Sequence, residues 1–175
     1  GNLTVPISVN LSRIDFYDEQ MMHNILGILH EGKLPAGKMN FEITESAYAA
    51  IEEDSNVIVD EIRRCGSKIL MDDFGTGYSS FGMLQDCDFD TLKLDMSFIH
   101  QIGKNPRTHS ILRSVIELSH ELGLTVVAEG VETSEHVSFL QQNGCDFIQG
   151  YYYSRPVEEN IFADMLDKQE KQLKM

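Results

Sequence analysis

The stretch SKILMDDFGTGYSS, residues 67–80, shows the unit from which the rest of the chain is built. Its first part is a short apolar run, which predicts a β-strand over residues 67–71. Two carboxylates, Asp72 and Asp73, follow directly. Gly75 and Gly77 then permit positive φ angles and close backbone approach, as in a tight strand-to-helix turn or a loop over phosphate or metal. The stretch therefore predicts a strand that ends in acidic residues and leads into a turn.

The same unit recurs along the 175 residues. Apolar runs predict six strands, over residues 4–9, 39–43, 67–71, 89–94, 124–128 and 145–148. Apolar spacing near 3.6 residues predicts helices over 16–30, 54–65, 108–122, from about Thr133, and over 157–171. Because no linker or low-complexity segment separates these elements, we predict a single domain over residues 1–175.

Strict alternation of strands and helices predicts an α/β fold with a parallel sheet. Strands in such sheets are buried on both faces, and the continuous apolar runs agree with that expectation. Two architectures fit the pattern, an open doubly wound sheet and a closed (β/α) barrel. A barrel has eight strand–helix units and typically about 250 residues. This chain offers about six units, so a barrel built from it would be incomplete.

Composition narrows the classes of function. The formal net charge of −14 disfavours general nucleic-acid binding, because an acidic surface repels a phosphate backbone. The cysteines, Cys65, Cys87 and Cys145, are far apart, which favours free thiols in a reducing cytoplasm over a disulfide scaffold or a zinc site. The six histidines lack paired ligand spacing, and most of them are predicted on helix surfaces. The chain has no apolar run long enough to span a membrane and no signal-peptide pattern, so we expect a cytoplasmic domain.

Polar residues follow every predicted strand. In both architectures the carboxyl ends of the strands form one rim, where ligands bind. The strand-end residues are Asn10, Glu42, Glu45, Asp72, Asp73, Lys93, Asp95, Glu129 and Gln149. One such residue commonly caps the next helix, but carboxylates gathered at a single rim repel each other. Mg²⁺ or Mn²⁺ would offset that charge, and two ions roughly 3.5–4 Å apart are the usual device for phosphodiester hydrolysis.

Two local patterns allow more than one interpretation. Lys93 could pair structurally with Asp95 or Glu129, or it could hold the attacking hydroxide or a phosphate oxygen, and its spacing does not separate these roles. The DFG triplet at 73–75 occurs in protein kinases, but a kinase interpretation fails because the chain lacks the glycine-rich loop and the HRD motif.

Six blocks together resemble the EAL-domain family of cyclic di-GMP phosphodiesterases, which act in bacterial second-messenger signalling. They are SVNLS (8–12), FEITES (41–46), MDDFGTGYSSF (71–81), LKLD (92–95), AEGVET (128–133) and QGYYYSRP (149–156). The resemblance implies a TIM-barrel-like fold and metal-dependent hydrolysis of cyclic di-GMP to linear pGpG.

The resemblance also implies a role for each matching residue. Asn10, Glu42 and Asp72 would bind a first ion. Asp72 would bridge to a second ion, which Asp73 and Glu129 also reach. Glu129 is viewed in the family as a general base, and Lys93 would orient the hydrolytic water. The supporting residues near the second ion, the substrate and the DDFG loop would be Glu45, Asp95, Glu132 and Gln149.

The Glu-Ala-Leu motif that names the family does not occur in these 175 residues, and the resemblance places it upstream of SVNLS. We therefore expect an N-terminally truncated domain with weak or no activity, and with an upstream sensor or cyclase-type domain in the parent protein. Its open sheet edges would favour a homodimer or edge-paired oligomer. A non-catalytic cyclic di-GMP sensor stays open as an alternative, as does a different metal-dependent barrel enzyme with a lysine base, such as an enolase-type lyase.

Overall fold

The computed structural model describes residues 5–31, 35, 37–48, 56–76 and 89–173. The strands are β1 (Ile7–Leu11), β2 (Met39–Thr44), β3 (Ile69–Phe74), β4 (Thr91–Leu94), β5 (Thr125–Ala128) and β6 (Phe147–Ile148). The helices are α1 (Arg13–Tyr17), α2 (Glu19–His30), α3 (Glu45–Tyr48), α4 (Asn56–Arg64), α5 (Met96–Ile99), α6 (Pro106–Glu121), α7 (Ser134–Gln142) and α8 (Glu159–Leu173).

The strand order decides between the two architectures. All six strands are parallel, and each pairs with its neighbours in the sequence, in the order β1-β2-β3-β4-β5-β6. A doubly wound sheet reverses its strand order at a switch point, whereas barrel strands follow one another in sequence. The described sheet is therefore that of a (β/α) barrel with six strands, and β1 and β6 are its edges.

The two faces of the sheet differ in polarity. The outer face carries fully buried apolar side chains, including Phe41, Ile69 and Val126, which pack in one core with residues of the helices. The inner face lines a cavity of about 380 Å³, and its residues include Ser8, Asn40, Glu42, Thr91, Lys93 and Thr125. The central strands β2–β4 are therefore buried on both faces, as predicted, but alternate residues give their inner face a mixed character, with apolar Leu70 beside the buried polar residues Asn40, Thr91 and Lys93.

The helices differ from the sequence prediction mainly at short elements. The predicted helix over 16–30 is interrupted at Asp18, whose carboxylate accepts the Met21 N–H at 3.0 Å and caps α2. The single-turn helices α3 and α5 were not predicted, since four residues are too few to show helical periodicity. Strand β1 begins later than predicted, at Ile7, and residues 54–55 of a predicted helix lie outside the described residues.

The two edges of the sheet are exposed. Ile7 in β1 is 56% exposed and Phe147 in β6 is 62% exposed. Helix α8 also exposes apolar side chains, among them Ile161, Phe162 and Met165.

Within the described residues, no helix combines the length and apolarity that a membrane crossing requires.

Candidate metal-binding site

Lys93 lies at the centre of the candidate site. Its side chain points from β4 into the barrel interior and is only 5% exposed. Its Nζ lies 2.6 Å from Glu42 Oε2, 2.8 Å from Asp72 Oδ1 and 2.8 Å from Glu129 Oε1. An ammonium group has three N–H donors, and here three carboxylates accept them. The geometry is therefore that of a charged lysine held by three acids.

The three acids come from three different strands or strand ends. Glu42 lies in β2, Asp72 lies in β3, and Glu129 directly follows β5. The Glu129 amide donates to the Leu94 carbonyl oxygen at 3.1 Å, which continues the β4–β5 ladder by one step. Parallel pairing thus brings together carboxylates that are far apart in the sequence.

Asp73 joins the cluster because β3 is irregular at this point. Met71 pairs with Leu92 and Phe74 pairs with Leu94, so three residue steps of β3 lie opposite two steps of β4. Asp73 has a φ of 56°, in the left-handed region that Asp tolerates better than most residues. The bulge allows consecutive carboxylates to reach one side of the sheet, which a regular strand would not.

The charges in the cluster are unbalanced. Burial alone would lower the pKa of Lys93, but its hydrogen bonds to Asp72, Glu129 and Glu42 outweigh burial and raise that pKa. Burial raises the pKa of Asp73, and repulsion from Asp72 and Asp95 adds to the effect. Burial also raises the pKa of Glu129, although the hydrogen bond to Lys93 opposes it. One ammonium therefore does not balance the negative charge of the acids around it.

This set of donors suits a divalent cation. Oxygen atoms of Asp72, Asp73 and Glu129 lie within 4.8 Å of one another, close enough to share one ion. Hard cations prefer carboxylate oxygens, and each carboxylate that Lys93 contacts through one oxygen keeps a second. Glu42 lies next to these three carboxylates because it contacts the same Lys93 ammonium. Asn10, on the exposed strand β1, pairs in register with Glu42.

The other predicted site residues lie around this centre. Asp95 caps α5 by accepting the Ser97 N–H at 2.8 Å, and Glu45 begins α3 directly after β2. Gln149 lines the interior cavity, and Glu132 is exposed after β5. Glu45 is predicted to tether the DDFG loop, and residues 77–88, which follow DDFGT in the sequence, lie outside the described residues. The supporting roles of these four residues stay predictions.

Sequence reasoning missed two histidines beside the site. His136 is 7% exposed, so it is not one of the histidines on helix surfaces. His100, directly after α5, contacts the Gly130 carbonyl oxygen. A signal existed for His136, which lies three residues after the N-cap Thr133, where a side chain can reach back to the preceding backbone.

Comparison with known proteins decides the family. The EAL domain profile matches residues 2–156. The chain belongs to the EAL domain family. RocR of Pseudomonas aeruginosa, a cyclic di-GMP phosphodiesterase, is 34% identical over 160 residues, which cover 91% of this chain and 41% of RocR. The chain spans about a fifth of the length of several other curated relatives that it matches.

Solved EAL domains share the fold. The EAL domain of Mycobacterium smegmatis DcpA matches with a TM-score of 0.84 and 34% identity, over 93% of this chain and 73% of that one. Klebsiella pneumoniae BlrP1, solved with manganese and cyclic di-GMP, matches with a TM-score of 0.78 and 30% identity, over 86% of this chain and 39% of that one. The described sheet is therefore part of a TIM-barrel-like EAL fold.

Proposed function

We propose that this EAL domain hydrolyses cyclic di-GMP to linear pGpG with two divalent cations, Mg²⁺ or Mn²⁺. The observation that carries the proposal is the group of carboxylates around Lys93, with oxygens of Asp72, Asp73 and Glu129 within 4.8 Å of one another at the carboxyl ends of the strands. Its family membership supports the substrate, since BlrP1 was solved with manganese and cyclic di-GMP and RocR is a cyclic di-GMP phosphodiesterase.

The chain's own residues would hold the two cations and orient the water as follows. Asn10, Glu42 and Asp72 would hold one cation, and Asp72, Asp73 and Glu129 the other. When bound, such cations stabilise the attacking and leaving oxygens of a phosphodiester. Lys93 would keep the acids oriented and, through them, would orient the hydrolytic water. The supporting residues would be Glu45, Asp95, Glu132 and Gln149.

The geometry does not favour a lyase with a lysine base. A general base must have a free lone pair, whereas the Lys93 Nζ is placed to donate to three carboxylates. Sensing without hydrolysis uses the same binding residues, so an experiment has to separate it from catalysis.

We expect cyclic di-GMP to bind this protein only when Mn²⁺ or Mg²⁺ is present, as calorimetry with each cation and with EDTA would show. Chromatography of the reaction mixture would measure pGpG. Asp72→Asn is expected to lower Mn²⁺ affinity at least about tenfold, because it removes one charged ligand. Glu117→Gln, which removes an acid exposed on α6, serves as the matched control and is expected to bind as the unmodified protein does.

The outcomes separate the candidate functions. Formation of pGpG that depends on Mn²⁺ or Mg²⁺ supports the phosphodiesterase. Cation-dependent binding without pGpG would fit a sensor or an enzyme of weak activity, and pGpG formation by a longer form of the protein that contains the Glu-Ala-Leu motif would separate the two. Binding that is indifferent to EDTA, or equally reduced by Glu117→Gln and Asp72→Asn, would contradict the proposed site.

A further inference from the structure

The loop between β5 and α7 carries Glu129 into the site, and each of its residues from 129 to 132 is anchored through a backbone N–H or C=O group. Backbone bonds provide three of the anchors. The Glu129 N–H donates to Leu94 O at 3.1 Å, the Val131 N–H donates to Gln149 O at 3.1 Å, and the Tyr152 N–H donates to Val131 O at 2.9 Å. These bonds tie the loop to β4 and to the segment after β6.

Two imidazole side chains provide the remaining anchors. His100 Nε2 lies 3.1 Å from Gly130 O, and His136 Nδ1 lies 3.4 Å from the Glu132 N. A carbonyl oxygen can only accept and a backbone N–H can only donate. His100 must therefore carry its proton on Nε2, and His136 must have an unprotonated Nδ1. The two rings have complementary roles on either side of Val131.

The surroundings hold both rings in place. His136 is buried, and its own backbone N–H donates to Thr133 Oγ1 at 3.2 Å, so the start of α7 fixes it. Gly130 has a φ of +65°, and an added Cβ there would collide with Met96 and come within 3.5 Å of His100 Nε2. Helix α5 thus packs directly against the loop. The centroids of the two rings are 6.0 Å apart.

We propose that His100 and His136 are positioning residues of the metal site: they hold the peptide groups after Glu129 so that its carboxylate reaches Lys93 and the Asp72–Asp73 pair. Neither imidazole is assigned a contact with the cation or the substrate. This inference rests on the proposed metal site. Partners of this kind, which orient a metal ligand through other groups, typically alter metal affinity by about 10–100-fold when they are removed.

Paired substitutions test the proposal on the whole chain. His100→Leu and His136→Leu remove the anchors. His100→Gln keeps an N–H donor near the Nε2 position, and His136→Asn keeps an oxygen acceptor near the Nδ1 position. His109→Leu is the matched control, because His109 Nε2 accepts the Gly103 N–H at 3.0 Å, a bond of the same kind away from the site.

Three readouts apply to every variant: Mn²⁺ affinity by electron paramagnetic resonance of the free ion, amide hydrogen exchange at residues 129–132, and thermal unfolding. We expect the two leucine variants at 100 and 136 to lose Mn²⁺ affinity about tenfold or more and to exchange these amides faster. The Gln and Asn variants should recover most of both properties. His109→Leu should bind Mn²⁺ normally, even if it unfolds at a lower temperature.

Unchanged Mn²⁺ affinity and exchange in the leucine variants would overturn the proposal. The proposal would also be overturned if His109→Leu weakened Mn²⁺ binding equally, or if the Gln and Asn variants failed to recover Mn²⁺ affinity. In either case a general loss of stability would explain the weaker binding. If the unmodified protein bound no Mn²⁺, the proposed function would fail. In that case, faster amide exchange at residues 129–132 in the leucine variants would still support the anchoring of the loop by the two histidines.

Discussion

Lys93 shows how a single side chain determines the charge balance of the site. Its ammonium is nearly buried, and the three carboxylates it contacts are themselves only 13–19% exposed. Buried ion clusters contribute little net stability when intact, but removing one partner leaves the others uncompensated. The same lysine that orients the acids is therefore needed to offset their negative charge in the fold.

Lys93→Met is expected to lower the free energy of unfolding by about 3 kcal/mol in EDTA, because it leaves three poorly solvated carboxylates without a cation. Urea unfolding at neutral pH measures the change. Lys68→Met, which alters an exposed lysine next to β3, should have little effect. Added Mn²⁺ should restore part of the lost stability, since a bound cation offsets the same charges. A Lys93→Met protein as stable as Lys68→Met would contradict this view of the cluster.

Cys145 illustrates a residue whose chemistry is suppressed by its environment. Burial raises the pKa of its thiol to about 11, although a bond to the Phe147 backbone opposes the effect. Its Sγ lies 3.3 Å from Phe147 O and 3.7 Å from Val126 O, so the thiol donates to backbone acceptors. The thiolate is the reactive form, and it is scarce at neutral pH.

We expect iodoacetamide at pH 8 to alkylate Cys145 about a hundredfold more slowly in the folded protein than in urea, because the folded thiol is far less ionised. Peptide mass spectrometry would follow the modification at this residue. The reaction should accelerate as the pH rises toward 11, since the thiolate fraction grows until the raised pKa is reached. Similar rates in the folded and unfolded states would contradict the assigned pKa.

At the scale of elements, the bulge in β3 is the feature that assembles the site. It places Asp73 at a positive φ and beside the like charges of Asp72 and Asp95. Left-handed backbone costs roughly 1–2 kcal/mol for an ordinary L-residue, and somewhat less for Asp. The chain therefore keeps a strained, charged residue where the metal is proposed to bind, as functional sites often do.

Asp73→Gly is expected to raise the free energy of unfolding by about 1 kcal/mol in EDTA, because glycine adopts this φ without strain and the repulsion disappears. Mn²⁺ affinity should fall at the same time. Asp73→Asn is the matched variant, since it removes the charge but keeps a side chain. Urea unfolding and calorimetry measure both effects. If the Asp73→Gly protein were less stable than the Asp73→Asn protein, the backbone at residue 73 would not be strained.

At the scale of the whole molecule, the two edge strands of the described sheet are exposed to solvent. Strands β1 and β6 end the pairing order, and each carries an exposed apolar residue. Exposed strand edges present unpaired backbone groups and commonly pair with another chain. Self-association through these edges therefore stays our prediction for this chain.

We expect sedimentation analysis to show a mass above that of one chain, increasing with protein concentration. Phe147→Lys should reduce this association, because it places a charge beside the β6 edge. Ile111→Lys, which alters a 48% exposed residue on α6, should leave it unchanged. A compact monomer at every concentration, or an equal effect of the two lysine substitutions, would contradict association through β6.

The sequence alone determined the six parallel strands of the described sheet, their alternation with helices and the polar residues at their carboxyl ends, because these features depend on local periodicity. Motif resemblance indicated the EAL family, which the profile match confirmed. Only the tertiary structure decided which side chains meet. Lys93 binds Glu42, Asp72 and Glu129 because strand register brings them together, and Asp73 joins them only through the bulge. The unit in SKILMDDFG predicts a strand, but the direction of each carboxylate depends on pairing with residues far along the chain.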